Sequence, residues 1–251
     1  STQYSSEYMD VEIIRDGFKY NLHFEKGENV GGLKKEKTNI KTTGSKIHWR
    51  PDTDVFTDIN IEIDYFKEIL KRQCVVNSGL KFELYDEETD ETFYFCYEEG
   101  IKDYIKEIAG DKSFIEPVYY SHETKGKDRE DKEEYKLKFE MAFTFNNEIN
   151  IVEYYHNSSF LEYGGSPDKA VKSAFVFAID KYIKANNLYK KDEKKIVYSD
   201  VEDSLIIVIN SFSTQTSYEN QTKKAITNKF IQEAMTDFLK ERLEVYFIEN
   251  K

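Results

Sequence analysis

The chain has 251 residues, 39% of them hydrophobic, with 19 Tyr and 18 Phe. That is enough core material for one large or two ordinary domains, and it excludes global disorder despite the 33% charged residues. A formal charge of −12 disfavours an autonomous nucleic-acid binder, which needs clustered Lys and Arg to meet phosphates, while leaving room for local basic patches. The longest wholly aliphatic run, Leu205–Ile209, is far too short to span a bilayer, and no secretory signal is visible, so a cytoplasmic chain without membrane contact is expected.

VEIIRDGFKYNLHF reads as two alternating runs joined at Asp16-Gly17, a pair that tolerates the positive φ of a tight hairpin. A Lys-rich loop follows (Lys34, Lys35, Lys37, Lys41), then a strand over Ser45–Arg50 closed by Pro51-Asp52. Over residues 62–76, Phe66, Ile69, Leu70 and Cys74 share one helical face, and Asn77-Ser78-Gly79 supplies the stop. LKFELYDEETDETFYFCY is a second hairpin turning at its acidic centre, and Gly100–Ile108 a short helix. Cys74 and Cys96 lack CxxC spacing and are expected to be two buried thiols in a reducing compartment.

Residues 121–136 contain no aliphatic side chain and carry charges of both signs, as a solvated loop or hairpin tip does. Leu137–Phe145 alternates as a half-buried strand, and residues 149–156 form another. Ser166-Pro167-Asp168 has the grammar of a helix start, with Ser166 as N-cap and Pro167 at the first helical position. Val171, Ala174, Phe175, Ala178, Ile179 and Tyr182 continue one apolar face to about Ala185. Ser199-Asp200-Val201-Glu202 fits a capping box, and Leu205–Ile209 a central buried strand, so strand, helix and strand imply a right-handed crossover. Phe230, Ala234, Phe238 and Leu239 make the face of a C-terminal helix. Gly164-Gly165 before a helix offers either a turn or an anion site built from backbone amides. The four His residues (His23, His48, His122, His156) lack metal-ligand spacing, and His156 among aromatics reads as structural.

Several short motifs fall in a recognisable order. VEIIRDGFKY, the run Thr43-Gly44-Ser45 to Pro51-Asp52, VVNSGLKFEL, Phe95-Cys96-Tyr97 to Gly100-Ile101, Glu153 to Ser158, Tyr163-Gly164-Gly165-Ser166-Pro167 and Glu219-Asn220-Gln221-Thr222-Lys223 follow one another along the whole chain. This succession resembles the type IIA topoisomerase ATPase subunits, the B subunits of DNA gyrase and topoisomerase IV. Two departures stand out: Pro167 replaces the family's His, and Asn220 replaces the small Gly before Gln-Thr-Lys.

The resemblance implies an α+β chain: an incomplete GHKL (Bergerat-type) α/β sandwich over residues 1–113, then a transducer domain of ribosomal protein S5 domain 2-like fold over 114–251. It implies ATP with Mg2+ as cofactors. Gln221 and Lys223 would reach the terminal phosphate, and Ser45 would join the hydrogen-bond network around the adenine. A Lys supplies a mobile point charge and a Gln amide a neutral donor, both suited to a dense anion; two positions apart, they point the same way if the loop is extended. The family's water-activating Glu, Mg-binding Asn, adenine-binding Asp and glycine-rich lid have no match here, so a fragment inactive by itself is expected. The implied partners are DNA through the holoenzyme, an A-type subunit and a second B subunit on ATP binding. Mismatch-repair and chaperone ATPases share this architecture, although the pairing of T-G-S…P-D with Q-T-K favours the topoisomerase. A non-catalytic interaction module derived from the fold is the alternative from another class.

Overall fold

The computed structural model describes residues 2–250. The chain divides into two compact units, Ser1–Tyr65 and Phe66–Lys251. The first is an antiparallel sheet. Strands β1 (Ser6–Arg15) and β2 (Phe18–Glu25) form the expected hairpin, with Asp16 and Gly17 at φ 54° and 76°. β3 (Glu28–Asn29) and β4 (Lys34–Lys37) both pair with β2, and β5 (Gly44–Pro51) pairs with β1. The Lys-rich segment is therefore not all loop. Backbone pairing with β2 does not require apolar side chains, and Lys35 lies over the Phe18 ring at 4.0 Å.

Pairing register sorts this sheet into two faces. Val11, Leu22 and Ile47 are opposite one another, with Met9, Phe24 and Trp49 as the neighbouring row on the same face. Asp10, His23 and His48 form a row on the other face, where Asp10 accepts from His23 Nδ1 at 2.7 Å. The hydrogen bonds to Asp10 and Glu25 raise the His23 pKa.

The second unit takes in α1 from Phe66 onward (the helix spans Ile63–Val76), the hairpin β6 (Lys81–Asp86) and β7 (Glu91–Cys96), and α2 (Ile101–Ala109). Next come β8 (Val118–Gly126), β9 (Tyr135–Phe145), β10 (Ile151–His156), β11 (Ser159–Phe160) and β12 (Gly164–Gly165). The chain closes with α3 (Ser166–Ala185), α4 (Tyr198–Glu202), β13 (Leu205–Ser213), β14 (Ala225–Ile226) and α5 (Lys229–Glu249). The main sheet runs β11-β10-β13-β9-β8, parallel only between β10 and β13, with α3 in the crossover between those two strands. β13 is central, as its unbroken aliphatic run requires: Leu205, Ile206, Ile207, Val208 and Ile209 are all buried because both faces are covered.

One face packs against α3 and α5 through Phe139, Phe143, Phe175, Ile207, Met235 and Leu239. The other packs against α1 and α2 through Ala142, Ile206, Val208, Cys74, Ile101 and Ile105. Burying each such Phe or Ile contributes roughly 1.5–3 kcal/mol. This packing draws residues 66–113 into the same compact unit as the sheet that follows them.

Several local expectations are corrected. On α1 the apolar face is buried only toward its C-terminal end: Cys74, Val75 and Val76 are covered, whereas Phe66 and Ile69 are exposed. Cys74 is buried but Cys96 is exposed, because it lies on the outward face of the β6–β7 hairpin; both thiols are free. The turn of α4 starts two residues earlier than expected, with Val197 and not Ser199 at the cap position, and the Asp200 carboxylate does the capping by accepting the Val197 N–H at 2.8 Å. Along α5 the buried line is Ile231, Met235, Phe238, Leu239 and Leu243, leaving Phe230 and Ala234 at its margin. No helix among the described residues is long and apolar enough to cross a membrane.

Candidate functional site

The segment carrying Gln221 and Lys223 is a narrow hairpin. Tyr218 faces Ile226 across an antiparallel bridge. Thr227 N donates to Ser217 O at 2.8 Å and Glu219 N to Ala225 O at 3.0 Å. At the tip the Asn220 side chain accepts the Thr222 N–H at 3.1 Å and the Thr222 hydroxyl, while Lys223 N donates to Asn220 O at 3.2 Å. This Asx turn explains how Asn serves where the related motif has Gly: its carboxamide organises the bend itself. Lys223 leaves the turn in the left-handed region at φ 58°. The tip is thus a closed turn and not extended, so the two-residue spacing does not by itself align the two side chains.

Gln221, Thr222 and Lys223 are all exposed. The two consecutive lysines are used differently. Lys224 pairs with Glu162, and that hydrogen bond raises its pKa. Lys223 makes no ion pair among the described residues; its Nζ lies 5.5 Å from the Tyr218 ring centroid. An exposed amide and an uncompensated ammonium on one tight turn suit the oxygens of an anion such as phosphate. An ammonium has no oxygen to offer Mg2+, and among the described residues no group of three or more His, Cys, Asp and Glu could hold a metal ion.

The base of this hairpin rests on the Gly-Gly segment. β12 pairs parallel with β14, Gly164 beside Ala225 and Gly165 beside Ile226. Both glycines have positive φ, 64° and 83°, and a Cβ on Gly165 would lie 2.1 Å from Ile226 O. Their amides are already engaged, Gly164 N with Leu161 O at 3.0 Å and Gly165 N with Tyr163 O at 2.7 Å, so this is a turn and not an anion cradle. Ser166 is not the N-cap. It is buried as the first residue of α3, and its hydroxyl reaches Asn228 O at 2.8 Å and Ile226 O at 3.2 Å. The cap position belongs to Gly165, which moves Pro167 to the second helical position. Asn228, which sequence reasoning passed over, joins this junction; an Asn directly before a helix was the available signal.

His156 anchors the other approach to the loop. It is fully buried, with Nδ1 2.8 Å from Ser211 Oγ and Nε2 2.9 Å from Thr216 Oγ1. Ser211 Oγ donates to Tyr155 O at 3.0 Å, so it must accept from Nδ1–H; Nε2 is then free to accept the Thr216 hydroxyl. Burial pushes the His156 pKa down to about 4, which keeps the ring neutral. With no carboxylate bonded to it, the ring has a structural role.

Because the folded value lies below the ordinary 6.5, the folded state binds fewer protons than the unfolded chain. The stability from neutral His156 is intact above pH 6.5 and is lost as pH falls toward about 4. The loss amounts to about 3 kcal/mol. Urea unfolding at pH 7 and pH 4 should show the wild type losing that much more than His156→Gln, which cannot titrate; equal losses would contradict the assignment.

Ser45 lies in the other unit. It sits on β5 opposite Ile13, on the same face as Val11, Leu22, Ile47 and Trp49, and is exposed at an edge of the sheet. Its hydroxyl is therefore a polar group on the apolar face.

Comparison with known proteins agrees with the order of motifs. The chain is 27% identical to the B subunit of DNA topoisomerase 4 from Streptococcus pneumoniae, over 98% of its own length and 37% of that protein's. It is 29% identical to the DNA gyrase B subunit from Metamycoplasma hominis, over 98% of the chain and 38% of that protein. The chain thus spans well under half the length of these relatives. Among solved structures, the 43K ATPase domain of Thermus thermophilus gyrase B, in complex with an aminocoumarin, superposes with a TM-score of 0.75 at 21% identity, covering 99% of this chain and 65% of that one. The topoisomerase IV ATP-binding domain of Francisella tularensis gives 0.75 at 24% identity, over 99% and 66%. These similarities show that the chain shares the fold of those domains, a mixture of helices and strands of the α+β class. The family model described as DNA gyrase B matches residues 100–251, more than half of the chain and all of the segment that carries the Gln221–Lys223 turn, and the chain accordingly belongs to the DNA gyrase B family.

Proposed function

We propose that the chain is the ATPase and transducer region of a type IIA topoisomerase B subunit, coupling ATP binding and hydrolysis to subunit dimerisation and DNA strand passage. The observation that carries this reading is the turn at 220–223: an exposed Gln and an unpaired Lys held on a hydrogen-bonded hairpin, in a chain of the gyrase B family. In this reading residues 1–113 are the C-terminal part of the ATP-binding domain and 114–251 the transducer. Lys223 neutralises charge on the γ-phosphate, Gln221 donates to it, and the Ser45 hydroxyl joins the network around the adenine. Loss of the γ-phosphate removes the partner of the turn and so releases a conformation that only ATP stabilises. The Mg2+ that accompanies ATP would be held by other residues of the intact subunit. DNA, an A-type subunit and a second B subunit are the partners, in the cytoplasm.

In this reading the family's water-activating Glu and Mg-binding Asn have no counterpart among these 251 residues, so this region supplies phosphate contacts without the base. The isolated chain is expected to hydrolyse no ATP above background, while an intact B subunit carrying it does. Specific turnover by the isolated chain, or none by the intact subunit, would contradict the reading.

A further inference from the structure

The hairpin tip between β8 and β9, residues 127–134, is highly charged and exposed except at one position. Asp128 alone in that tip is half-buried. Its carboxylate accepts three hydrogen bonds: Tyr135 OH at 3.0 Å, Asn228 Nδ2 at 2.9 Å and Phe230 N at 2.9 Å, the last from the first turn of α5. The Phe230 ring lies over Gly126, where a Cβ would come within 2.2 Å of it, and edge-on to Tyr135 at 5.2 Å. A solvated tip needs none of this.

Asn228 is buried, and every polar atom of its side chain is used. Nδ2 donates to Asp128 and to Tyr135 OH at 3.0 Å, and Oδ1 accepts Ser217 N at 2.7 Å. Ser217 is the residue at which the hairpin carrying Gln221 and Lys223 begins, and its carbonyl accepts the Thr227 N–H. The Asn228 carbonyl also accepts from Ser166 at the start of α3. An amide has one acceptor end and one donor end, so which end faces Ser217 is decided by what faces the other. The carboxylate of Asp128 can only accept. It therefore forces Nδ2 toward itself and turns Oδ1 toward the Ser217 N–H.

We propose that Asp128 is a positioning residue for the Gln221–Lys223 turn: through the amide of Asn228 it fixes the base of that hairpin and ties it to the first turns of α3 and α5. Asp128 is about 90 residues earlier in the chain and bonds to none of residues 217–227. The coupling makes the turn and the N-terminus of α5 one mechanical unit, so a ligand that holds the turn also holds the helix start. The coupling itself stands on hydrogen bonds within the chain; only its use in sensing phosphate rests on the function proposed above.

The test is a donor–acceptor swap. Asp128→Asn sets an NH2 group against either Asn228 Nδ2 or the Phe230 N–H, since one amide oxygen cannot accept on both sides, and Asn228→Asp sets carboxylate against carboxylate. The double variant restores the pairing in reverse, with Asn at 128 donating to Asp at 228, which still accepts from Ser217. Hydrogen exchange on the folded chain without nucleotide is the readout, at the Ser217, Glu219 and Thr227 amides and, as reference, at the β13 amides. Each single variant should speed exchange at the hairpin about tenfold or more while β13 stays unchanged, and the double variant should return it to within about threefold of wild type.

Hairpin exchange as slow in both single variants as in wild type would overturn the proposal. So would a double variant as fast as the singles, which would mark Asp128 and Asn228 as independent structural residues. If the single variants unfold, the double variant alone decides, since only an oriented pair predicts its recovery. Because no nucleotide is present, these outcomes are independent of whether Lys223 contacts phosphate.

Discussion

Gly165→Ala is expected to cost about 3 kcal/mol or more and to free the Gln221–Lys223 hairpin from its base. Two effects act at once. The backbone at 165 has φ 83°, a region that L side chains rarely adopt, and the added methyl would meet Ile226 O at 2.1 Å and Ile226 N at 2.8 Å. Those atoms are backbone of β14, so no side chain can swing aside. Relief requires breaking the parallel pair of β12 and β14, and with it the contact of Ser166 with Ile226 O. Gly110→Ala separates the two contributions, because Gly110 also has positive φ, 58°, yet a methyl added there would meet nothing within 4 Å. It should cost only about 1 kcal/mol. Urea unfolding of the two variants measures the difference, and a Gly165→Ala protein as stable as Gly110→Ala would show that β12 and β14 can part without penalty.

Much of the architecture is legible in the residues because local signals and burial agree. Asp16-Gly17 encodes its turn by tolerance of positive φ, and Leu205–Ile209 reads as central because only a strand covered on both faces can be aliphatic throughout. The α3 face from Val171 to Ala178 follows from helical spacing alone. What misleads is the side chain whose partner is distant in sequence. Ser166 has the type and place of an N-cap, yet its hydroxyl turns to carbonyls about 60 residues away. Cys96 sits among aromatics in sequence but on the outward face of a two-stranded hairpin. Lys34–Lys37 forms a strand because backbone pairing, not side-chain polarity, holds an edge.

The candidate site shows the same division. The Gln-Thr-Lys order is visible in sequence, whereas the Asx turn that presents it, the buried His156 behind it and the hydrogen bonds of Asn228 are not. Each depends on a pairing made only in the folded chain. Asp128, one acidic residue among many in a charged run, carries no local mark that separates it from its neighbours.

Lys223→Ala in the intact subunit carries the other large effect. Lys223 is exposed, and its bond to Asn220 O comes from the backbone, which alanine retains; the left-handed φ of 58° is equally accessible to either residue. The fold should be unchanged, so a loss of activity reports on the ammonium alone. Removing one charged donor from a transferring phosphoryl group typically costs about 100-fold or more in turnover, since its charge is placed before the reaction starts and needs no reorganisation. Lys224 cannot substitute while it is held by Glu162. The most direct measurement is steady-state ATP hydrolysis by the intact subunit carrying Lys223→Ala, with circular dichroism to confirm the fold. The predicted result is turnover reduced about 100-fold at saturating ATP in a folded protein; turnover equal to wild type would contradict the assignment of this turn to the γ-phosphate.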